Sequence, residues 1–144
     1  MKKLFSYLCL LFILVPAISS AHEIRVVVNK NNPLKSLTKQ QVTDLYMGRS
    51  QYFPTGTIVV KIDAPNRSGL RAAFYENLVR MSVAEVNAYW ARLLFSGRAA
   101  PPMSVSDDSE VLALVETNPN AIGYIFADSA DKSQVKTVAV IDIP

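Results

Sequence analysis

The chain has 144 residues, one cysteine, one histidine and a formal net charge of +3 at pH 7. Cys9 and two of the 15 basic residues, Lys2 and Lys3, lie in the N-terminal segment, so residues 22–144 are close to neutral and contain no cysteine. This composition excludes a disulfide, a thiol nucleophile and a cysteine-based metal site from residues 22–144. It also argues against nucleic acid as a partner, because no basic cluster is interleaved with aromatic side chains.

The first 21 residues have the three-part pattern of a secretory signal peptide. A basic start (residues 2–3) is followed by an almost wholly apolar run (4–15) and then by small residues (19–21). The apolar run is short for a membrane span, and a retained N-terminal anchor is the alternative interpretation. We predict cleavage after Ala21 and export to the periplasm. Residues 22–144 would then form a single domain that is large enough to bury a core.

The next two segments predict a strand and a helix. Residues 24–29, IRVVVN, include three consecutive valines, which indicates a strand buried on both faces. In the helix that follows, Thr38 and Gln41 have the spacing of a capping box, and Gly48 marks the end. The residues predicted to share its buried face are Val42, Leu45 and Tyr46.

A second strand and two further helices follow along the chain. Residues 57–64, TIVVKIDA, have the apolar, β-branched character of a strand. Residues 67–80 predict a helix whose core-facing side chains are spaced four apart. Residues 82–97 predict another helix, in which Ser82 and Glu85 form a second capping box.

The C-terminal part predicts one more helix and two strands. Residues 106–119 begin with acidic side chains, which complement the dipole at the start of a helix. Residues 121–128 and 135–141 are apolar and predict strands. The predicted order is therefore β-α-β-α-α-α-β-β. Strands separated by helices indicate an α/β domain with helices on both faces of the sheet.

The turn between the second strand and the next helix, IDAPNRSGLRAAF, contains the parts of an anion-binding site. A helix start offers unpaired backbone N–H groups and a partial positive charge. Gly69 permits close approach to the backbone, and Ser68 adds a hydroxyl group. Arg67 and Arg71 add planar cations that match the geometry of an oxyanion. We therefore predict that Ser68, Gly69, Arg71 and Arg67 bind a small oxyanion.

Each of these residues also has a simpler alternative role. Ser68 is equally suited to be an N-cap, Gly69 to serve packing, and the two arginines to be solvated surface charges. Other chemistry lacks the residues it needs. The sequence indicates no metal site, no cofactor and no catalytic triad, because residues 22–144 contain one histidine and no cysteine. We therefore expect a protein that is not an enzyme.

Three segments, SLTKQQVTDLYMG, IVVKIDAPNRSGLRAAF and VLALVETNPNAIGYIFAD, resemble consecutive parts of the substrate-binding proteins of phosphate ABC transporters. That family carries an LT..Q helix, a strand leading to an SGT helix start, and a later NP.AIGY segment. The match covers most of residues 36–128 in the same order. The resemblance implies an α/β fold, a single three-layer lobe of the type 2 periplasmic binding protein fold with a mixed sheet flanked by helices.

The chain departs from the family pattern in two ways. It resembles only one of the two lobes between which the family holds its ligand. In addition, residues 66–67 are Asn-Arg and Leu70 follows Gly69, where the family has an acidic residue and a threonine. Asp63 is the nearest remaining carboxylate, although it also suits the end of a strand. Gly123 and Tyr124 match the AIGY segment, where we expect a structural role.

The resemblance implies an exported solute-binding module for a small oxyanion of phosphate type, linked to phosphate ABC transport. A single lobe leaves the ligand partly in water, so we expect weak or no phosphate affinity in the monomer. An ABC permease, another envelope protein or a second copy in a homodimer would supply the missing wall. Asn29 and Asn31 are further candidates to face the cleft. The alternative function is an envelope interaction or sensor-accessory protein that uses the lobe as a protein-binding surface, with no small ligand.

Overall fold

The computed structural model describes residues 23–130 and 134–144, so the predicted signal peptide lies outside the described residues. None of the helices in this part of the chain is long and apolar enough to cross a membrane. The elements in chain order are β1 (Glu23–Asn29), α1 (Lys39–Tyr46), β2 (Val60–Asp63), α2 (Gly69–Val79), α3 (Val83–Phe95), β3 (Met103–Ser104), α4 (Asp108–Thr117), β4 (Ala121–Phe126), α5 (Ala127–Ala130) and β5 (Val135–Asp142).

The five strands form one mixed sheet in the order β3-β2-β4-β1-β5. Strand β2 runs parallel to β3 and β4, whereas β1 runs antiparallel to both β4 and β5. Four strands therefore share one direction, and their carboxyl ends lie at the same edge of the sheet. The predicted α/β fold with a mixed sheet flanked by helices is confirmed.

Two short elements were missed by the sequence analysis, and one strand is shorter than predicted. Strand β3 has only two residues, both exposed, in a proline-rich segment that shows no alternating pattern. Helix α5 begins at Ala127, within the segment 121–128 that was predicted as the third strand. The strand predicted over residues 57–64 begins only at Val60, because Ile58 makes an isolated bridge with Tyr52 before the sheet is reached.

One face of the sheet is covered by α1 and α2 through an aromatic cluster. The rings of Phe74 and Tyr124 stack with centroids 3.7 Å apart and an interplanar angle of 1°. Tyr46 meets both rings edge-on, at 4.9 and 5.6 Å. All three side chains are fully buried, so this cluster fixes α2 against the centre of the sheet.

The opposite face is covered by α4, which packs closely because β4 carries Gly123. A Cβ atom at Gly123 would lie 2.6 Å from Val111 Cγ1 and 3.0 Å from Val115 Cγ2. Successive side chains of a strand point to opposite faces of the sheet, so Gly123 faces α4 and Tyr124 faces α1 and α2. Both therefore have the structural role that we expected for the AIGY segment.

Asn29 lies on the α4 side of the sheet, at the end of that helix. Its Nδ2 donates to the carbonyl oxygens of Val115 and Glu116 at 3.0 and 2.9 Å. Its Oδ1 accepts the backbone N–H of Asn31 at 2.9 Å. Asn29 therefore satisfies carbonyl groups that the last turn of α4 would otherwise leave unpaired.

Local signals in the sequence set the predicted helix ends. Both capping boxes are present, between Thr38 and Gln41 and between Ser82 and Glu85. Gly48 has a φ of +75°, which is the left-handed conformation expected after a helix end. The predicted buried face of α1 is confirmed, because Val42, Leu45 and Tyr46 are all buried.

Candidate functional site

Two helix starts converge at the edge where the carboxyl ends of β2 and β3 lie. Helix α2 follows β2 and packs on the face of Tyr124, whereas α4 follows β3 and packs on the face of Gly123. Connections that leave neighbouring strands toward opposite faces open a crevice between them, which is where α/β sheets bind ligands. Across this crevice the Ser68 hydroxyl donates to Asp108 Oδ1 over 2.7 Å.

Ser68 is the N-cap of α2, with φ −71° and ψ 132°. Its hydroxyl accepts the N–H of Leu70 at 3.1 Å, so Ser68 serves as an N-cap, and its contact with an anion stays a prediction. No acceptor among the described residues takes the backbone N–H groups of Gly69 and Arg71. Gly69 is exposed and a Cβ there would have no atom within 4 Å, so the surface beside this helix start is open. The helix start therefore presents free donors to solvent.

The Arg71 side chain turns into the protein. Only 6% of the residue is exposed, so the alternative that Arg71 is a solvated surface charge is wrong. Its Nε donates to Asp63 Oδ2 at 3.1 Å, its Nη1 to Asn66 Oδ1 at 3.0 Å, and its Nη2 to Asn87 Oδ1 at 3.1 Å. The guanidinium group also lies over the Tyr75 ring, 5.2 Å from its centroid. Three of its five N–H groups are thus taken by the chain itself.

Asp63, the last residue of β2, is the centre of this buried network. Its carboxylate accepts from Arg71 Nε, from the Tyr75 hydroxyl at 3.0 Å, and from the Tyr124 hydroxyl. The Tyr124 oxygen in turn accepts the N–H of Ala64 at 3.1 Å. Burial, together with the nearby Asp63 charge, raises the pKa of Tyr75 and Tyr124 well above the ordinary tyrosine value. Both hydroxyls therefore stay protonated and act as donors.

The structure thus brings the four predicted residues together only in part. Ser68 and Gly69 lie at the open helix start, where Arg67 is also exposed. The Arg71 backbone N–H faces the same opening, but its guanidinium lies behind it with Asp63. The alternative of a solvated surface charge is therefore retained for Arg67 alone.

Sequence reasoning missed three residues that shape this region. Asp108 approaches from a helix 40 residues away, and its acidic segment had been interpreted only as the start of that helix. Asn66 and Asn87 orient Arg71, and Asn87 Nδ2 donates to Asn66 Oδ1 at 2.8 Å. No group of three or more histidine, cysteine, aspartate or glutamate side chains suited to a metal ion occurs among the described residues.

No protein-family model matches the chain, and none of the curated proteins matches it significantly. Solved structures do match. A Clostridium perfringens protein assigned to the phosphate ABC transporter substrate-binding proteins, with bound phosphate, has 27% identity and a TM-score of 0.65 over 82% of this chain. An ABC-type phosphate transport receptor from Vibrio cholerae has 24% identity and a TM-score of 0.64 over 82% of this chain. PstS from Borrelia burgdorferi has 15% identity and a TM-score of 0.65 over 83% of this chain.

The match covers less than half of each of these proteins. The chain spans 45% of the Clostridium protein, 46% of the Vibrio receptor and 47% of the Borrelia protein. This share is what a single lobe of the periplasmic binding protein fold would occupy. The resemblance drawn from the sequence motifs is therefore confirmed at the level of the fold.

Proposed function

We propose that this single-lobe structural relative of phosphate ABC transporter substrate-binding proteins is an exported binding module for a small oxyanion of phosphate type. The observation that supports the proposal is the open start of α2, where the N–H groups of Gly69 and Arg71 lack acceptors in the described chain. The Clostridium neighbour was solved with phosphate bound. The proposed role is binding and not catalysis. Residues 1–21 would direct the chain to the periplasm, and residues 22–144 would form the binding domain.

In the proposed site, the oxyanion rests on the helix start. The backbone N–H groups of Gly69 and Arg71 donate to it, the Ser68 hydroxyl turns its single O–H from Asp108 to the anion, and the exposed Arg67 side chain folds over it. The buried Arg71 guanidinium behind the helix start is paired with Asp63, so it adds little net positive charge. Backbone donors and the helix dipole together favour an anion at this position.

Two features of the site limit the affinity of an isolated lobe. The site is open to water on one side, which weakens every charge-assisted hydrogen bond. The Asp108 carboxylate already accepts a hydrogen bond from the Ser68 hydroxyl and repels a second anion. We therefore propose that tight binding requires a second wall, supplied by an ABC permease, another envelope protein or a second copy of this chain.

The test is a thermal-shift measurement on residues 22–144 with inorganic phosphate and with sulfate at matched ionic strength. A ligand that binds only the native state at ten times its Kd stabilises it by about 1.4 kcal/mol. For a domain of this size that is a rise in Tm of roughly 5 °C. A shift that phosphate or sulfate produces and chloride does not would support the proposal.

Gly69→Glu is the matched variant for this test. The side chain has open space, and an acid in the first turn favours the helix, so Tm without ligand should not fall. The new carboxylate should abolish the phosphate shift. Gly69→Gln has the same size without the charge and should keep part of it. An undiminished shift in Gly69→Glu would remove the site from the start of α2.

The alternative function is also supported by one observation. Phe95 is 94% exposed, and Leu94, its neighbour in the chain, is 58% exposed. Adjacent exposed apolar side chains that form a contiguous patch are typical of protein contacts. If the lobe serves only as a protein-binding surface, Phe95→Ser should abolish copurification of an envelope partner, and no anion should shift Tm. An anion shift that Phe95→Ser leaves intact would argue for the oxyanion module.

A further inference from the structure

A second concave region lies beside the α2 start and is separate from it. This pocket has a volume of about 380 Å³ and lies between α3 and the carboxyl ends of β2 and β3. Neither Ser68 nor Gly69 lines it. Its wall includes Asn66, Arg71, Asn87, Trp90, Leu94 and Pro102.

The polar end of the pocket is lined by Asp63, whose charge is paired with Arg71, and by side chains that still have free hydrogen-bond donors. Arg71 keeps two N–H groups after its bonds to Asp63, Asn66 and Asn87. Asn66 Oδ1 accepts from both Arg71 and Asn87, so its two lone pairs are used. The amide NH₂ group of Asn66 and one N–H of Asn87 are left without acceptors in the described chain. A ligand that meets this end must therefore bring acceptors.

The rest of the pocket is apolar. The Trp90 ring, Leu94 and two prolines form a wall that a small inorganic anion would not cover. The Trp90 indole N–H is buried and has no acceptor among the described residues. Because this nitrogen is buried, a ligand in the pocket would contact the Trp90 ring and not the N–H group.

We infer that this pocket binds a small organic carboxylate with an aliphatic or aromatic tail. The carboxylate meets the free N–H groups of Arg71 and the amide groups of Asn66 and Asn87, since planar guanidinium donors match a planar carboxylate. The tail lies against Trp90 and Leu94. Pockets that combine an apolar wall with a few convergent polar groups are the usual form of small-molecule sites.

The chain provides its own reporter for the test. Trp90 is the only tryptophan, so the fluorescence of the purified protein reports directly on this pocket. Hexanoate should change the emission saturably at constant ionic strength, with one-to-one stoichiometry by calorimetry. Hexanamide lacks the charge and acetate lacks the tail, so each should bind at least tenfold more weakly. Equal binding of hexanamide would refute a carboxylate site, and the absence of any saturable response to hexanoate would refute the site itself.

Two alanines on α3 give a matched pair of variants. Ala91 is exposed and lines the pocket, so Ala91→Phe should fill it and weaken hexanoate binding at least tenfold. Ala88 is exposed on the same helix but does not line the pocket, so Ala88→Phe should stay within twofold of the parent protein. Unchanged binding in Ala91→Phe would overturn the inference. Gly69→Glu should leave hexanoate binding intact, so failure of the phosphate site and failure of this pocket are distinguished.

Discussion

Replacing Asp63 by asparagine should reveal how much the lobe depends on its buried ion pair. The side chains of Arg71 and Asp63 are only 8% and 4% exposed, and their atoms Nε and Oδ2 are 3.1 Å apart. Asp63→Asn keeps the shape but leaves the Arg71 charge buried without a counterion. It also takes a charged acceptor from the hydroxyls of Tyr75 and Tyr124. Removing one partner of a buried pair costs about 3–5 kcal/mol.

The expected loss is large enough to measure directly. Unfolding entropy near 60 °C is about 2.1 cal/mol/K per residue, so for a domain of this size the Tm of Asp63→Asn should fall by roughly 12–20 °C. Circular dichroism of residues 22–144 during heating and during urea titration at pH 7 would give both the Tm and the free energy of unfolding.

A surface ion pair provides the control for this experiment. Asp44 accepts from Arg49 at 3.5 Å, with side chains that are 33% and 60% exposed. Asp44→Asn removes the same chemical group, but exposed pairs contribute only about 0–1 kcal/mol. Equal stability losses in Asp63→Asn and Asp44→Asn would refute the view that the buried pair is a main support of the fold.

Three further outcomes are expected. Gly123→Ala should lower the free energy of unfolding by about 1–3 kcal/mol, because its Cβ would overlap Val111. Gly69→Ala, which has open space, should not lower it. Equal urea midpoints for the two variants would contradict the close packing of α4. Asp108→Asn should bind phosphate several-fold more tightly in calorimetry, and weaker binding would show that the carboxylate helps the ligand. The third outcome concerns the buried tyrosines, Tyr46, Tyr75 and Tyr124. Burial and the Asp63 charge raise the folded-state pKa of these tyrosines above the unfolded value near 10. Their contribution to the free energy of unfolding should therefore be constant below that pH and fall above it. A urea midpoint that stays unchanged up to pH 11 would contradict this.

The sequence predicted the features that depend on residues close together in the chain. The capping box of Thr38 and Gln41 and the N-cap role of Ser68 follow from spacings of three residues or fewer. The buried stripe of α2 follows from the helical period, and the burial of β1 from its run of valines. Such signals are decided by local backbone geometry, so they can be recognised before the fold is known.

The geometry of the candidate site depends on contacts between distant segments. Asp108 reaches Ser68 across 40 residues, and Tyr124 reaches Asp63 across 61. Nothing in the turn around Ser68 indicates that a carboxylate from another helix will accept a hydrogen bond from the Ser68 hydroxyl. The direction of the Arg71 side chain was not predictable either, because its partner Asp63 also suits the end of a strand. Only the sheet order brings these residues to one edge.

The internal neutralisation of Arg71 determines how this lobe can bind an anion. A cleft that relied on its ligand to neutralise a buried guanidinium would be destabilised whenever it was empty. Here Asp63 is the counterion, held by Tyr75 and Tyr124, so Arg71 needs no ligand to neutralise its charge. The consequence is that little net positive charge remains inside. An oxyanion at the proposed site on the start of α2 would be attracted mainly by the helix start and by Arg67, where water and salt screen the attraction. A second surface that excludes water would therefore be needed to turn this weak attraction into binding. The similar solved proteins are about twice as long as this chain, so they have the length to supply such a surface themselves.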